Sequence, residues 1–407
     1  MFESAVVMTN LAIIGAGMGG LSLALAMHKA GHACALYERA AELTEVGAGI
    51  QMGPHVMRRL YAWGLKDALQ ERIARPLTLQ ARDVLSGQVL ASLPLGRTFE
   101  QRYGAPYATV HRADLQTVLR EAVEQGGTTK LQLHATCMRW DEQMDGVSLE
   151  LQTGPSASTV QIQAAALVGA DGLWSRVRSS GWSLPEPAAT GHLAYRAMVP
   201  QVLLPERLRS QVVTVWMGPH LHLVTYPVRQ GEWLNVVLLL QPQGPQRHMA
   251  PGWDLTREPQ EVAADLQTAM RRGCTFVRDL VGMIEHWRVW PLYGRGIVAG
   301  PDQMARGRVA LLGDAAHPML PYLAQGAGMA IEDADSLAQW WTRTELTVPQ
   351  RLHRFAEARW SRNARVQLQS RRNADIFHAT GLMRWGRDLG LKIMGQRLLD
   401  QPWLFSA

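Results

Sequence analysis

A glycine-rich turn between a predicted strand and a predicted helix constrains the fold of this chain more than any other feature. Residues 10–15 form an apolar run, and the GxGxxG pattern follows at residues 15–20. Residues 21–30 then have helical periodicity, and Gly31 directly after them is a plausible helix end. A strand, a tight glycine turn and a helix in this order are typical of the first unit of a dinucleotide-binding fold.

The spacing within this unit assigns a physical role to each glycine. Gly15 permits the tight turn, Gly17 lets the backbone approach a pyrophosphate, and Gly20 lets the helix pack closely on the strand. A second predicted strand ends at Glu38, where an acidic side chain accepts hydrogen bonds from an adenosine ribose. The neighbouring Arg39 is a further candidate for cofactor contact.

Composition argues against several other classes of protein. The net charge is +6, but Lys and Arg are scattered instead of forming a stripe with interleaved aromatics, which argues against nucleic-acid binding. The longest apolar run, at residues 236–240, is too short to span a membrane. The N-terminal segment lacks signal-peptide features, and Met8 is a plausible alternative start. Cys34, Cys137 and Cys274 are isolated and the histidines lack metal-ligand spacing, so we expect no disulfides, no metal site and a cytoplasmic protein.

Two acidic turns later in the chain follow predicted strands. Residues 166–172 predict a buried strand closed by Asp171, with a short helix after it. Residues 311–334 predict a short strand, a turn at Asp314, and a helix that begins at the glycine-rich residues 326–328. Taken alone, this last segment is equally compatible with an ordinary strand-to-helix connection. Paired with the N-terminal motif, it predicts the far half of one cofactor site.

The overall pattern predicts an α/β protein with a Rossmann-like cofactor domain, an inserted and mainly antiparallel sheet, and C-terminal helices. We expect the strands at residues 287–292 and 308–312 both to return to the cofactor domain. The predicted segments are residues 1–75, 108–182 and 286–345 for the cofactor domain, 76–107 and 183–285 for a substrate domain, and 346–407 for the C-terminal helical part.

Three motifs in this order resemble those of the class A flavoprotein aromatic hydroxylases, the family of p-hydroxybenzoate hydroxylase. They are GAGMGG with Glu38, ADG at residues 170–172 with Arg176 and Arg178, and GDAAHP at residues 313–318 with the glycine loop at 326–328. Finer features are similar to the salicylate, 3-hydroxybenzoate 6- and 6-hydroxynicotinate 3-hydroxylase branch. These are EVGAGIQMGP at residues 45–54, HRADL at 111–115 and WMGPHLHLVTYPV at 216–228. The C-terminal helices add little to the resemblance.

The resemblance implies a single-component flavin monooxygenase that uses FAD, NADH or NADPH, and dioxygen. It would hydroxylate a phenol-like aromatic or N-heteroaromatic ring acid through a flavin hydroperoxide, and the resemblance admits a homodimer. The implied cofactor residues are Gly15, Gly17 and Gly20 for the pyrophosphate, Glu38 for the ribose, Arg112 and Asp314 for the phosphate and ribityl region, Asp171 for FAD and pyridine nucleotide, and the backbone of Gly326, Ala327 and Gly328 for the flavin. Gly47 and Gly49 would let the flavin move between two positions.

The candidates for a base that removes the phenol proton lie on one predicted strand. With a period of two, His220, His222 and Tyr226 would share one face, and His222 and Tyr226 resemble substrate-contacting residues of the same branch. The alternative is that they are half-buried sheet residues, which we favour for His220. His317 is expected to be structural. For Arg196, a substrate carboxylate and a surface ion pair remain alternatives.

Three residues are candidates for substrate contact: Gln51, Pro321 and Tyr322. Tyr322 is a departure from the family, because several salicylate and hydroxynicotinate hydroxylases carry His at this position. A tyrosine is a poorer base than histidine at neutral pH. The departure puts a direct transfer of those enzymes' substrate in doubt.

Two rival functions differ from the hydroxylase interpretation. A flavin-dependent oxidase or reductase on the same fold would share the cofactor motifs and would form no hydroxylated product. An NAD-binding Rossmann protein or a non-catalytic regulator would have no use for the second acidic turn far from the GxGxxG pattern. The particular ring acid and the choice between NADH and NADPH are not readable from the sequence.

Overall fold

Two large sheets and one small sheet organise the computed structural model, which describes residues 7–43, 48–242 and 257–407. The strands in chain order are β1 (Val7–Ile14), β2 (Cys34–Tyr37), β3 (Gly49–Met52), β4 (Ile73–Ala74), β5 (Thr78–Asp83), β6 (Val89–Pro94), β7 (Ala108–His111), β8 (Thr129–Gln132), β9 (Ala135–Glu142), β10 (Val147–Thr153), β11 (Ser158–Gly169), β12 (Ala188–Pro200), β13 (Val213–Gly218), β14 (Leu221–Val228), β15 (Trp233–Leu240), β16 (Arg288–Gly294), β17 (Ala305–Arg306) and β18 (Val309–Leu311).

The helices lie on the outer faces of these sheets and at the C-terminal end of the chain. In chain order they are α1 (Met18–Lys29), α2 (Pro54–Ala62), α3 (Lys66–Gln70), α4 (Arg97–Tyr103), α5 (Arg112–Gly126), α6 (Arg176–Gly181), α7 (Pro259–Met270), α8 (Thr275–Gly282), α9 (Gly326–Trp341), α10 (Val348–Phe377), α11 (Gly381–Met394), α12 (Gln396–Leu399) and α13 (Pro402–Phe405). Within the described ranges, no helix has both the length and the apolar character that crossing a membrane requires.

The first large sheet has the strand order β17-β18-β11-β1-β2-β8, and β10 and β9 extend it beyond β11. Strand β1 pairs in parallel with both β2 and β11, and β11 pairs in parallel with β18. Leu11, Ala12 and Ile13 are fully buried, as a strand covered on both faces requires. Helix α1 packs against α5 and α9, so its apolar residues are enclosed on several sides.

The second large sheet has the order β16-β12-β15-β14-β13-β5-β6 and is antiparallel except where β13 pairs with β5. Opposed residues of antiparallel neighbours point to the same side of a sheet. One face carries Tyr195, Leu223 and Leu238, which belong to a core that also includes residues of α7 and α8. The other face, which we call the inner face, carries residues such as Arg196 and Tyr226.

The predicted fold class is confirmed: the chain is an α/β protein with a mainly parallel sheet, a mainly antiparallel sheet and C-terminal helices. The predicted return of residues 287–292 to the first sheet is wrong, because β16 pairs with β12 in the second sheet. Helix α4 lies within residues 76–107 of the predicted substrate domain, with Phe99 and Tyr103 packed into a core. The predicted hinge residue Gly47 lies outside the described residues.

Candidate active site

The glycine turn after β1 is packed so closely that two of its positions exclude a side chain. Gly15 has a φ of 101°, and a Cβ there would lie 2.5 Å from the carbonyl oxygen of Ala170. A Cβ on Gly20 would lie 1.8 Å from the carbonyl oxygen of Gly15. At Gly17, by contrast, no described atom lies within 4 Å of a built Cβ. The turn is therefore sealed against the sheet and open where a pyrophosphate would approach.

Glu38 binds the same turn from the end of β2. Its Oε2 accepts a hydrogen bond from the backbone N–H of Ala16 (2.8 Å), and its Oε1 accepts one from Ala40 N–H (2.9 Å). The carboxylate thus fixes the distance between the glycine turn and the second strand. Its predicted contact with a ribose stays a prediction, as does that of Arg39, whose side chain is exposed beside it.

Asp314 lies in the short turn Gly313–Ala315 that follows β18. Its two neighbours are buried, whereas Asp314 itself is exposed and its Oδ1 lies 3.9 Å from a Cβ built on Gly326. Enough protein surrounds the carboxyl to raise its pKa by desolvation, and the charges of His317 and Arg112 oppose that rise. The Asp314 carboxyl is surrounded by protein on most sides but remains accessible at the start of α9.

The Asp171 segment joins the edge of the cleft from β11. Asp171 Oδ2 accepts hydrogen bonds from the backbone N–H groups of Arg176 (2.8 Å) and Val177 (3.1 Å), so it caps α6. The buried side chain of Arg178 donates to the carbonyl oxygen of Ala315 at 3.0 Å and so connects this segment to the Asp314 turn. A direct contact between Asp171 and a cofactor stays a prediction.

These motifs meet at the carboxyl edge of the first sheet, where β1, β2, β11 and β18 end. Ligands of open α/β sheets bind at this edge. The residues fit FAD: Gly17 leaves room for a pyrophosphate, Asp314 exposes a carboxyl for ribityl hydroxyls, and the backbone of Gly326, Ala327 and Gly328 begins a helix beside it. Arg112 begins α5, and its backbone N–H donates to Ala48 at the same edge (3.0 Å).

Two histidines from distant parts of the chain pair on the inner face of the second sheet. Nδ1 of His222 lies 2.9 Å from Nε2 of His378, which directly follows α10. The two residues are only 1% and 5% exposed. Within the described part of the chain, Nε2 of His222 has no hydrogen-bond partner.

A third histidine and a tyrosine complete this group. His192 is hydrogen bonded through Nδ1 to the hydroxyl of Tyr322, and its ring stacks on that of His378 with centroids 5.5 Å apart. The ring of Tyr322 also lies 5.2 Å from the ring of His222. We call His192, His222, His378 and Tyr322 the histidine cluster. Within the described ranges, no three His, Cys, Asp or Glu side chains are arranged to hold a metal ion.

The environment of the histidine cluster keeps its imidazoles neutral. Desolvation lowers the pKa of His222 well below its ordinary value, and the proximity of His378 and His192 lowers it further. Desolvation, with the charges of His192, His220 and Arg387, lowers the pKa of His378 to about 3. The pKa of His192 is also lowered by desolvation, against the opposing charge of Asp375. Near neutral pH each ring has a lone pair that can accept a proton.

The phenol of Tyr322 is buried beside the three histidines, and its predicted contact with a substrate stays a prediction. Its pKa is raised by desolvation and by the charge of Asp375, and its hydroxyl is hydrogen bonded to His192. Pro321 before it is half-buried and begins the short turn Pro321–Leu323. The three imidazoles of the histidine cluster therefore lie beside Tyr322, where a departure from the family is expected from the sequence.

Tyr226 connects the second large sheet to β3 of the small three-stranded sheet. Its hydroxyl donates to the carbonyl oxygen of Gly49 (2.7 Å), and the N–H of Gly49 donates to Asn235 Oδ1 (2.7 Å). A Cβ on Gly49 would lie 2.4 Å from the Tyr226 ring, so close packing requires glycine there. Gln51 in the same strand accepts a hydrogen bond from the hydroxyl of Tyr107 (2.6 Å). The catalytic role predicted for Tyr226 stays a prediction, and the observed contacts position β3.

The histidines singled out from the sequence separate in the structure. His220 lies in the turn before β14 with a φ of 61°, so the predicted shared strand face with His222 is wrong for it. His317 bonds through Nε2 to Asp333 (2.5 Å) in a buried network, as a structural residue would. His192 and His378 were missed, because neither belongs to a motif and His378 is distant from every other site residue in sequence.

The comparisons with known proteins agree with this geometry. A family model described as FAD binding domain matches residues 8–364. The chain is 38% identical over 373 residues to 3-hydroxybenzoate 6-hydroxylase 1 of Aquipseudomonas alcaligenes, covering 91% of this chain and 90% of that protein. It is 34% identical over 365 residues to the 6-hydroxynicotinate 3-monooxygenase of Bordetella bronchiseptica, covering 89% of this chain and 91% of that protein.

Solved structures show the same fold. A salicylate hydroxylase substrate complex matches with a TM-score of 0.78 and 22% identity, covering 99% of this chain and 96% of that one. Klebsiella pneumoniae HpxO complexed with FAD and uric acid matches with a TM-score of 0.80 and 24% identity, covering 96% and 94%. The family match, the two relatives and the cofactor cleft described above agree, and the chain therefore belongs to the family of FAD-dependent aromatic hydroxylases.

Proposed function

We propose that this enzyme is a single-component monooxygenase that uses NADH or NADPH and dioxygen to hydroxylate a ring acid that carries a phenol-type hydroxyl. The relatives act on 3-hydroxybenzoate and 6-hydroxynicotinate by name, and the substrate proposed here is of that class. The observation that carries the proposal is the neutral pair His222–His378 on the inner face of the second sheet. Bound FAD would supply the redox chemistry, and the protein would position, shield and activate the ring.

The hydrogen bond between the two histidines supports the role of base that we propose for His222. A neutral imidazole has one N–H and one lone pair. If Nδ1 of His222 donates to Nε2 of His378, the lone pair of His222 is on Nε2, which has no partner in the described chain. We propose that this nitrogen accepts the proton of the ring hydroxyl. A deprotonated ring oxygen raises the electron density of the ring, which favours attack by an electrophilic oxygen.

The inner face next to this base is largely apolar. Val237 and Leu239 belong to a small core with Tyr322, and Val224 is the half-buried member of an otherwise buried β14. The contact between Tyr226 and Gly49 joins β3 of the small sheet to this face. These apolar side chains would exclude water from the substrate ring and so limit the decay of the oxygenating species to hydrogen peroxide.

Arg196 on β12 is our candidate for the residue that binds the ring carboxylate. Its guanidinium lies over the Trp290 ring at 4.3 Å, and no described residue forms a hydrogen bond or ion pair with it. The surface ion pair considered from the sequence is therefore not observed. Desolvation lowers the pKa of Arg196 to about 10, so it remains charged at neutral pH. An unpaired cation near Tyr226 on a mostly apolar face favours an anionic partner.

The test is a screen of FAD-loaded protein for ring acids that stimulate NADH or NADPH oxidation, with products identified by mass spectrometry under ¹⁸O₂. We expect at least one hydroxybenzoate or hydroxypyridine acid to give stoichiometric product with one labelled oxygen atom. Oxidation that forms hydrogen peroxide alone with every ring acid would favour the oxidase alternative. The screen also decides between NADH and NADPH.

Three further statements belong to the same proposal. We infer that residues 1–75, 108–182 and 286–345 bind the cofactor, apart from β16, and that residues 76–107 and 183–285 form the substrate domain. We infer that residues 346–407 add His378 to the site from the C-terminal helical part. The cytoplasmic location stays a prediction from the sequence.

A further inference from the structure

The ring of Phe405, in the last helix α13, lies at the centre of a buried aromatic group. Its centroid lies 5.5 Å from that of Tyr103, 5.6 Å from that of Phe99, 6.2 Å from that of Tyr107 and 6.1 Å from that of the His55 imidazole. We call these five residues the Phe405 group; all of them are buried. Rings at these distances attract one another beyond the burial of their surface, so Phe405 connects residues from separate parts of the chain.

One set of contacts of the Phe405 group reaches the start of α9, where the cofactor is expected. His55 Nε2 lies 3.0 Å from Gln325 Oε1, and Gln325 immediately precedes the glycine loop at 326–328. A Cβ on Gly328 would lie 3.0 Å from this oxygen and 3.6 Å from His55 Nε2, so both side chains pack on the loop. Desolvation lowers the pKa of His55 to about 4 against the opposing charge of Glu332, so the ring is neutral near neutral pH.

The hydrogen bond to His55 leaves the amide nitrogen of Gln325 for a ligand. A carboxamide oxygen can only accept, so Nε2 of His55 carries the hydrogen of this bond. Among the residues that the structure describes, none accepts a hydrogen bond from Gln325 Nε2, although Gln325 is only 4% exposed. A buried donor without an acceptor is costly, so we expect bound FAD to accept from this nitrogen.

A second set of contacts reaches β3. The hydroxyl of Tyr107 donates to Gln51 Oε1 (2.6 Å), and Gln51 lies in β3. Gly53 directly follows that strand, and a Cβ there would lie 2.6 Å from His55 Cε1 and 3.2 Å from Phe405 Cδ1. The Phe405 group therefore packs against the end of β3 and contacts the start of α9 at the same time.

Two arginines hold α13 in this place. Arg362 donates from Nη1 and Nη2 to the carbonyl oxygens of residues 403 and 404, both at 3.0 Å, and Arg58 Nη1 donates to that of Phe405 (3.0 Å). The end of a helix leaves such carbonyl oxygens without partners inside the helix. Arg362 also donates twice to the buried Glu332 of α9, at 2.7 Å each, so one guanidinium connects α13 to the helix that begins at the glycine loop.

We propose that Phe405 is a positioning residue of the FAD site. It acts on Gln325 through His55, and on Gln51 through Tyr107. With Phe405 in place, the first N–H groups of α9 and the amide of Gln325 are held in one arrangement toward the cofactor. Because this role concerns the cofactor, it does not depend on which ring acid the enzyme hydroxylates.

The first experiment titrates the Phe405→Leu apoprotein with FAD and follows flavin fluorescence. Leucine keeps an apolar side chain and removes the ring contacts, so we expect the FAD dissociation constant to rise about tenfold. Phe276→Leu is the matched control, because Phe276 also stacks on an aromatic ring, that of Trp216 at 5.0 Å, on the face of the second sheet opposite to the inner face. This control should change the constant by less than about twofold. Thermal unfolding verifies that each apoprotein is folded.

Variants of His55 decide the matter if Phe405→Leu does not fold. His55→Gln keeps an amide that can donate to Gln325 and should bind FAD within about threefold of the unaltered enzyme, whereas His55→Leu should lose about tenfold. Residues that act along one path are not additive. The Phe405→Leu/His55→Leu double variant should therefore lose less than the product of the two single losses.

The midpoint potential of bound FAD distinguishes positioning from a general loss of stability. N–H groups at a helix start stabilise negative charge, which increases on the flavin when it is reduced. Misplaced N–H groups would favour the reduced form less, so the potential should fall by about 30 mV for each tenfold loss of that preference. An unchanged affinity and potential in Phe405→Leu and His55→Leu, equal changes in Phe276→Leu, or fully multiplicative losses in the double variant would each overturn the proposal.

Discussion

Nδ1 of His222 and Nε2 of His378 lie 2.9 Å apart, although the two residues are 156 positions apart in the chain. The first belongs to the inner face of the second sheet and the second follows the long helix α10. Because both rings are buried, each fixes the orientation of the other. The C-terminal helical part therefore reaches the inner face of the second sheet.

Replacing His378 with Ala should lower the rate of hydroxylation by about tenfold to a hundredfold and shift its pH dependence. The pKa of His222 lies well below its ordinary value because of desolvation and the charges of His378 and His192. Removing His378 admits water and so relieves part of the desolvation of His222, which raises this pKa. The base is active only when neutral, so the acid limb of kcat/KM against pH should move to higher pH.

The control for this prediction is the anaerobic reduction of bound FAD by NAD(P)H, which the His378→Ala substitution should leave unchanged. Gln has no ring nitrogen, but its side-chain oxygen can accept a hydrogen bond near His222 Nδ1. His378→Gln should therefore recover part of the rate that His378→Ala loses. A variant with an unshifted acid limb would show that His378 has only a structural role.

Replacing Arg196 with Gln should weaken the binding of ring acids by about tenfold to a hundredfold, the value of a charge-assisted hydrogen bond of about 1.5 to 3 kcal/mol. Binding of an uncharged analogue, such as the corresponding benzamide, should change little. The perturbation of flavin absorbance by each ligand measures both affinities. Equal losses for the acid and the amide would show that Arg196 does not bind the carboxylate.

Replacing Tyr226 with Phe should remove the hydrogen bond to Gly49 and leave the ring packing intact. We expect a loss of about 1 kcal/mol in stability and a larger share of NAD(P)H oxidation that ends in hydrogen peroxide. The ratio of peroxide to hydroxylated product measures this uncoupling. If Tyr226 instead takes part in proton transfer, the pH dependence of the variant will change while its coupling is preserved.

Replacing Gly17 with Ala should leave the fold intact and reduce FAD retention, because the space beside Gly17 is open to an approaching pyrophosphate. Gly20→Ala is the contrasting variant, since its Cβ would overlap the carbonyl oxygen of Gly15 and disturb packing itself. Thermal unfolding without added FAD separates the two effects. Full FAD retention by a folded Gly17→Ala variant would contradict the placement of the cofactor.

Replacing Arg359 with Met should destabilise the fold by about 3 to 5 kcal/mol, because it leaves two buried carboxylates short of a partner. Arg359 donates to Asp333 Oδ1 (2.8 Å) and Glu332 Oε2 (2.7 Å) beneath the start of α9. Among the residues that the structure describes, the exposed Arg354 forms an ion pair with Glu357 alone, so Arg354→Met is the control and should cost less than about 1 kcal/mol. Denaturant unfolding measures both changes, and similar values would contradict the prediction.

The sequence alone determined the cofactor half of this protein. The GxGxxG turn, Glu38 and the Asp314 turn are local patterns of strand, glycine and acid, and short-range packing at Gly15 and Gly20 dictates them. The strand pattern of β12 to β15 was readable for the same reason, since alternation along one strand reports its two faces. The prediction placed β16 in the wrong sheet, because no local sequence pattern indicates which sheet a strand joins.

Only the tertiary structure decided which partners His222 and Tyr322 have. His222 acquires a partner, and Tyr322 a bond to His192, through contacts between segments that the chain brings together only on folding. Burial and neighbouring charges set the protonation of these groups, and both are properties of the packed molecule.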